Sequence, residues 1–136
     1  MSQEASIALI GRYYAAFNAG DHDGMLACLS DNVLHYSHQG LQETGKHAFR
    51  TFLKRQDLSY VEYLSDIVIM ASRDGRRASA EFIVNGEYRA QQFGLPPARG
   101  QEYELSGASH FTVDDGLISR ISVYYNVADW LIQVAD

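Results

Sequence analysis

The chain has 136 residues, of which 46% are hydrophobic and 12% aromatic, and a formal net charge of −6. That length fits a single domain over residues 1–136 with enough chain to bury a real core. The acidic balance, without any basic run, argues against nucleic acid and against an anionic membrane surface as partners.

Cys28 is the one cysteine, so an internal disulfide is excluded and a reducing compartment fits. No apolar run approaches the roughly 18 residues of a membrane span. The N-terminus, with Glu4 and a short apolar run, does not read as a signal peptide, so a cytoplasmic domain is expected.

In chain order, Ser2 is placed to cap a helix through QEASIALIGRYYAAFNAG. Ile7, Ile10, Tyr13 or Tyr14, and Phe17 recur at helical spacing, and Gly20 suits the stop. Asp21 then caps a short second helix, HDGMLACLS, and a strand follows in VLHYSHQG. Thr44 is read as the start of a third helix, GKHAFRTFLKRQ, with Ala48, Phe49, Phe52 and Leu53 on one face. From Leu58 the pattern changes to strands. YVEYLSDIVIMAS and RRASAEFIV flank RDG, while YELSGASHFTV and LISRISVYY flank DDG, two good hairpin signals. Between them FGLPPARG is a loop, stiffened by two prolines, that is either a lid (Phe93–Gly100) or a connection. NVADWLIQV reads as a short terminal helix or an apolar tail.

One local signal conflicts with this scheme. Asn85-Gly86 is the strongest two-residue hairpin signal, yet it falls inside the long strand ASAEFIVNGEYRA. A bulge at Gly86 would let the strand bend and continue; pattern alone leaves both open. Helices followed by a run of antiparallel strands imply an α+β fold, with helices on one face of a curved sheet and a pocket inside the resulting cone.

The stretch VLHYSHQG carries the most unusual chemistry. Strand residues alternate sides, so His35 shares a face with Val33 and Ser37, while Tyr36 and His38 face away. His35 and His38 are therefore not a metal pair, and no metal site is expected. His22 and His47 fall at helix starts and are read as solvated; His110 alternates away from Ser109, toward the outer sheet face or an interface.

RYYAAFNAGD, GLPPARG and HFTVDDGLISRISVYYN, in that order, resemble the ketosteroid isomerase and SnoaL-like branch of the nuclear-transport-factor-2-like (NTF2-like) superfamily, from about Ala8 to Val134. HQG with a following GKHAFRTFL, AEFIVNGEY and YYNVADW resemble its ketosteroid-isomerase-related group. The resemblance implies an NTF2-like cone, a curved antiparallel sheet wrapped around N-terminal helices enclosing a hydrophobic pocket. It also implies a bent strand rather than a turn at Asn85-Gly86, and a homodimer through the outer sheet face.

Ketosteroid isomerases shuttle a proton on an aspartate at the end of the first strand. They hold the enolate oxygen with a first-helix tyrosine and a protonated aspartic acid on a later strand. The resemblance places Tyr13 at the tyrosine, Ser37 at the first aspartate and Ser109 at the second. With two of three groups replaced by serine, the standard mechanism does not run as written. His35, one step deeper on the Ser37 face, can take over as base, since an ordinary imidazole near pKa 6.5 suits proton abstraction near neutrality. Tyr13 and Ser109 would donate to the oxygen and Ser37 would position the substrate. Phe17, Phe82, Val84, Tyr103, Phe111, Val123 and Tyr125 would form the apolar bed, with Glu81 and Glu87 on the opposite face.

The expected function is a ketosteroid-isomerase-like or polyketide-cyclase-like enzyme. It would abstract a proton next to a carbonyl of a small hydrophobic substrate, without metal or organic cofactor. The alternative is a non-catalytic ligand-binding or dimerisation module with a filled cone, and His35 facing a cavity or a packed core separates the two. Hydration chemistry would want an acid in the pocket, and the sequence places none there.

Overall fold

The computed structural model describes residues 2–135. Its elements are α1 (Gln3–Ala19), α2 (His22–Ala27), β1 (Leu29–Tyr36), β2 (Gln42–Thr44), α3 (Lys46–Ser59), β3 (Tyr60–Ala71), β4 (Arg77–Tyr88), β5 (Gln101–Asp114), β6 (Leu117–Tyr125) and α4 (Val127–Val134). The strands form one open, curved six-stranded sheet in the order β2-β1-β6-β5-β4-β3. Among the described residues no helix is long and apolar enough to cross a membrane.

Local chemistry sets the helix ends much as the pattern implies. The Ser2 side chain accepts from the Ala5 N–H, Gly20 takes the left-handed stop with φ 68°, and Asp21 accepts from the Gly24 N–H. The start of α3 differs from expectation. Thr44 pairs with Leu34 as the end of β2, and Gly45, with φ 96°, takes the capping position without a side-chain hydrogen bond. The first strand also begins earlier than Val33, because α2 stops at Ala27 and Leu29 already pairs with Ile118. That pairing of β1 with β6 is parallel, so the sheet is mixed rather than wholly antiparallel. The reason is topological: β1 joins the far end of the β3–β6 meander rather than a sequence neighbour.

The meander supplies the curvature. Ser65 pairs with Ile83 and Val68 with Glu81, so β3 carries one residue more than β4 there, and Asp66 has φ 51°. This bulge bends β3 and moves its inward face from Tyr60, Glu62 and Leu64 to Ile67, Ile69 and Ala71. Strand β4 runs through Asn85 and Gly86 in unbroken register with both neighbours, so the irregularity lies on the adjoining strand and no turn forms.

Helix α1 lies against β3, anchored by Asn18, whose side chain both donates to the Leu64 carbonyl at 3.0 Å and accepts from the Leu64 N–H at 2.9 Å. Those two bonds satisfy backbone groups on the sheet's exposed edge strand. At the other end of the cone, Trp130 of α4 meets Tyr60, Tyr88 and Tyr103 edge-on. The loop over Phe93–Gly100 is pinned, with the Tyr88 hydroxyl donating to Pro96 O at 2.6 Å and Gln101 Nε2 to Pro97 O at 2.9 Å.

Candidate active site

Between α1, α3 and the concave sheet face lies a cavity of about 530 Å³, within the usual range for small-molecule sites. Its wall is largely aromatic and aliphatic, with Phe17, Phe49, Phe52, Phe82 and Val123 among the lining side chains. Among the described residues, no lysine or arginine lines it. A carboxylate or phosphate would thus enter an apolar space without a fixed cation to compensate it.

His35 stands in this wall, its ring edge-on to Phe49 at 4.9 Å and Phe52 at 4.6 Å. Its Nδ1 is buried with no hydrogen-bond partner, and burial pushes its pKa down to about 4. At neutral pH the ring is therefore an uncharged imidazole. His38 lines the same cavity, contrary to the alternation argument. The strand ends at Tyr36, and the turn that follows swings His38 inward to stack on Tyr125 at 4.4 Å. Burial, and then His35, push the His38 pKa down to about 4 as well. Ser37 is not among the lining residues. Its Oγ accepts from the Gln39 and Leu41 N–H groups, so the serine builds the turn.

Tyr13, Tyr14 and Ser109 all line the cavity. Burial pushes both phenols well above the usual tyrosine value, and at Tyr14 a hydrogen bond from Ser109 opposes that shift. Both are neutral O–H groups at neutral pH. The helix therefore presents two adjacent tyrosines, and it is Tyr14 that couples to Ser109.

Phe17, Phe82, Val123 and Tyr125 line the cavity. Val84 is fully buried and Phe111 packs beneath the two tyrosines at 6.0 Å from each ring; neither reaches the main cavity. Tyr103 lines a smaller adjoining pocket of about 50 Å³, together with His38, Glu62, Tyr125, Leu95 and Trp130.

Glu62 is the group that sequence reasoning missed. It faces both cavities, and its carboxylate accepts from the Tyr103 hydroxyl at 2.5 Å and the Tyr125 hydroxyl at 3.4 Å. Burial pushes its pKa above the ordinary glutamate value, against the pull of those two hydrogen bonds. Its signal was Tyr60-x-Glu62-x-Leu64, an inward face read by alternation from two large apolar residues.

At the rim His22 is not simply solvated: its Nε2 lies 2.8 Å from the Asp57 carboxylate, linking α2 to α3. His110 sits on the outer face, 2.7 Å from the Ser79 hydroxyl. None of Phe93–Gly100 lines the main cavity, and Leu95 alone of that loop reaches the small one. Among the described residues no three His, Cys, Asp or Glu side chains are grouped to hold a metal ion.

The sequence pattern of the SnoaL-like domain matches residues 10–121. A candidate polyketide cyclase of Pseudomonas putida is 46% identical over 96% of this chain and 98% of its own, with a TM-score of 0.93. A candidate polyketide cyclase of a Silicibacter species is also 46% identical, over 100% and 99%, with a TM-score of 0.95. An NTF2-like protein of Burkholderia xenovorans shares the fold at 14% identity, over 99% of each chain, with a TM-score of 0.78. No curated protein matches the chain.

Proposed function

Because this chain belongs to the SnoaL-like domain family, with the NTF2-like cone as its fold, we propose that it is a polyketide-cyclase-like or ketosteroid-isomerase-like enzyme. It takes a proton from the carbon next to a carbonyl of a small, hydrophobic, uncharged substrate, and needs no cofactor. One observation carries the reading: a neutral His35, its Nδ1 without a partner, stands in the wall of an open apolar cavity instead of a filled cone. A buried polar group left unsatisfied costs stability, which is more often tolerated where it has a use.

In this reading His35 accepts the proton. Tyr14 with Ser109, and Tyr13 beside them, donate to the oxygen on which negative charge develops. Neutral hydroxyls in a water-poor site stabilise such an oxygen far better than they would in bulk water. The lack of a lysine or arginine among the described lining residues favours a ketone or ester over a free acid. The two 46% identical relatives, both candidate polyketide cyclases, support the same class. A homodimer through the outer sheet face belongs to the same reading, supported by the exposed Tyr63, Val68, Met70 and Tyr124.

Deuterium uptake at the α-carbon of β-tetralone in deuterium oxide, followed by proton NMR, tests this without presuming the final product. Uptake faster than in buffer is expected, falling on the order of 10²–10⁴-fold in His35→Gln, the usual worth of a general base. No uptake above buffer with the native protein refutes the reading and leaves a ligand-binding module.

A further inference from the structure

The reaction as written leaves the cavity's buried carboxyl without a task. Glu62 belongs to a row that runs Glu62–Gly86–Tyr103 across three strands. Gly86 contributes no side chain, and the Tyr103 ring occupies the space a Cβ would fill, 2.2 Å from its ideal position. That vacancy lets the phenol cross β4 and grip Glu62 Oε2 at 2.5 Å. Tyr125, from β6, reaches Oε1 only at 3.4 Å, a slack contact. The carboxyl is thus fixed through one oxygen while the other stays free to exchange Tyr125 for a ligand. Nor is this the place where the family resemblance puts an acid, which is Ser109 on β5.

We propose that Glu62 is a second catalytic acid–base group, whose Oε1 gives a proton to the substrate oxygen while His35 takes one from the neighbouring carbon. The inference rests on the reading of proton removal next to a carbonyl. In the step, the C–H bond breaks and its proton forms an N–H bond on His35. The electron pair becomes the enolate, and the carbonyl oxygen takes the proton from Glu62. The enol remains, with a carboxylate on Glu62 held by Tyr103 and Tyr125. His35 then returns its proton to that carboxylate through water, so nothing is consumed. Tyr103 is a positioning residue.

Across the main cavity stand Tyr13, Tyr14, His35 and, at the rim, the His22–Asp57 pair. The groups that face Glu62 in the small cavity are Tyr60 on its own strand, Tyr103 on β5, Tyr125 on β6 and His38 in the turn after β1. All four are uncharged near neutrality, the three phenols because burial pushes them up and His38 because burial pushes it down. Among the described residues neither cavity offers Glu62 a lysine or arginine, so burial has no fixed cation to contend with. The acid form of Glu62 and the base form of His35 therefore coexist over a window above about 4, where His35 has lost its proton. The rate falls as pH rises through the raised Glu62 value.

β-Tetralone exchange across pH, with native protein, Glu62→Gln and Tyr103→Phe, tests the assignment. Glu62→Gln should lose on the order of 10²–10⁴-fold and with it the high-pH fall. Tyr103→Phe removes a bond that pulls the Glu62 pKa down, so its fall should move to higher pH with much of the rate retained. A Glu62→Gln protein with native rate and profile, beside an inactive His35→Gln, overturns the role of Glu62 and leaves that of His35. If the native protein exchanges nothing, the reaction itself is wrong and infrared difference spectra on β-tetralone binding decide for Glu62. A protonated-carboxyl stretch that shifts on binding and is missing in Glu62→Gln supports it as donor; no shift overturns it.

Discussion

Replacing Gly86 by alanine tests the geometry on which the site is built. Gly86 is not among the positive-φ glycines, so the substitution meets no backbone strain; the cost is one of space. An added Cβ would lie 2.2 Å from the Tyr103 ring and 2.5 Å from its hydroxyl, so the ring must leave its place. Overpacking of this kind costs about 1–3 kcal/mol. Displacing the phenol also breaks its bond to the Glu62 carboxyl, worth about 0.5–1.5 kcal/mol. A middle estimate is about 3 kcal/mol, and at roughly 3–5 °C per kcal/mol for a chain of this size the Tm should fall by about 9 °C or more. Calorimetry reads this directly. The cause is isolated by a double-mutant cycle with Tyr103→Leu, which removes the ring that alanine would strike. In that background Gly86→Ala should cost much less, because sites in contact do not add. Strict additivity, or a Tm for Gly86→Ala within about 2 °C of native, would refute the close approach of Tyr103 across β4.

Two further outcomes follow from the histidines. The pKa values of His35 and His38 are lowered on folding from 6.5 to about 4, so the unfolded chain binds protons first as pH falls. Their contribution is complete above about 6.5 and is lost between there and about 4, at about 3 kcal/mol for each full shift. Melting temperature against pH should drop across that window, less steeply in His35→Gln; parallel curves would contradict a buried neutral ring. His35→Leu removes the unpartnered Nδ1 from between Phe49 and Phe52. It should stabilise the protein by about 1–2 kcal/mol while abolishing β-tetralone exchange, and a destabilised variant would mean that His35 serves the core and not the cavity.

Most of the fold is legible in local chemistry. Ser2, Gly20 and Asp21 mark their helix ends, and RDG and DDG mark the two hairpins, because each acts through neighbours within a few residues. The parallel β1–β6 pairing was not readable in this way, since Leu29 and Ile118 meet only through the whole intervening chain. Gly86 shows how one residue can be misread: after Asn85 it looks like turn chemistry, yet what needs it is a ring from the next strand.

The site was legible only as far as alternation holds. His35 stands in the cavity wall, as alternation implies, because β1 alternates without a break from Val33 to Tyr36. One step past the strand end the rule has no force, and His38 turned inward. Glu62 depends on the opposite kind of break. Counted back along an unbroken strand from the inward Ile67 and Ile69, position 62 falls on the outer face. The bulge at Asp66 inserts one residue and reverses that parity, so Glu62 points in with Tyr60 and Leu64. Both residues converge on Tyr125, which His38 stacks upon and whose hydroxyl reaches Glu62. Breaks in a strand pattern reduce pairing and packing, so they persist best where they aim a polar group at something. On that argument the Ser37 turn and the Asp66 bulge are the two features of the backbone most closely tied to the chemistry of the cavity.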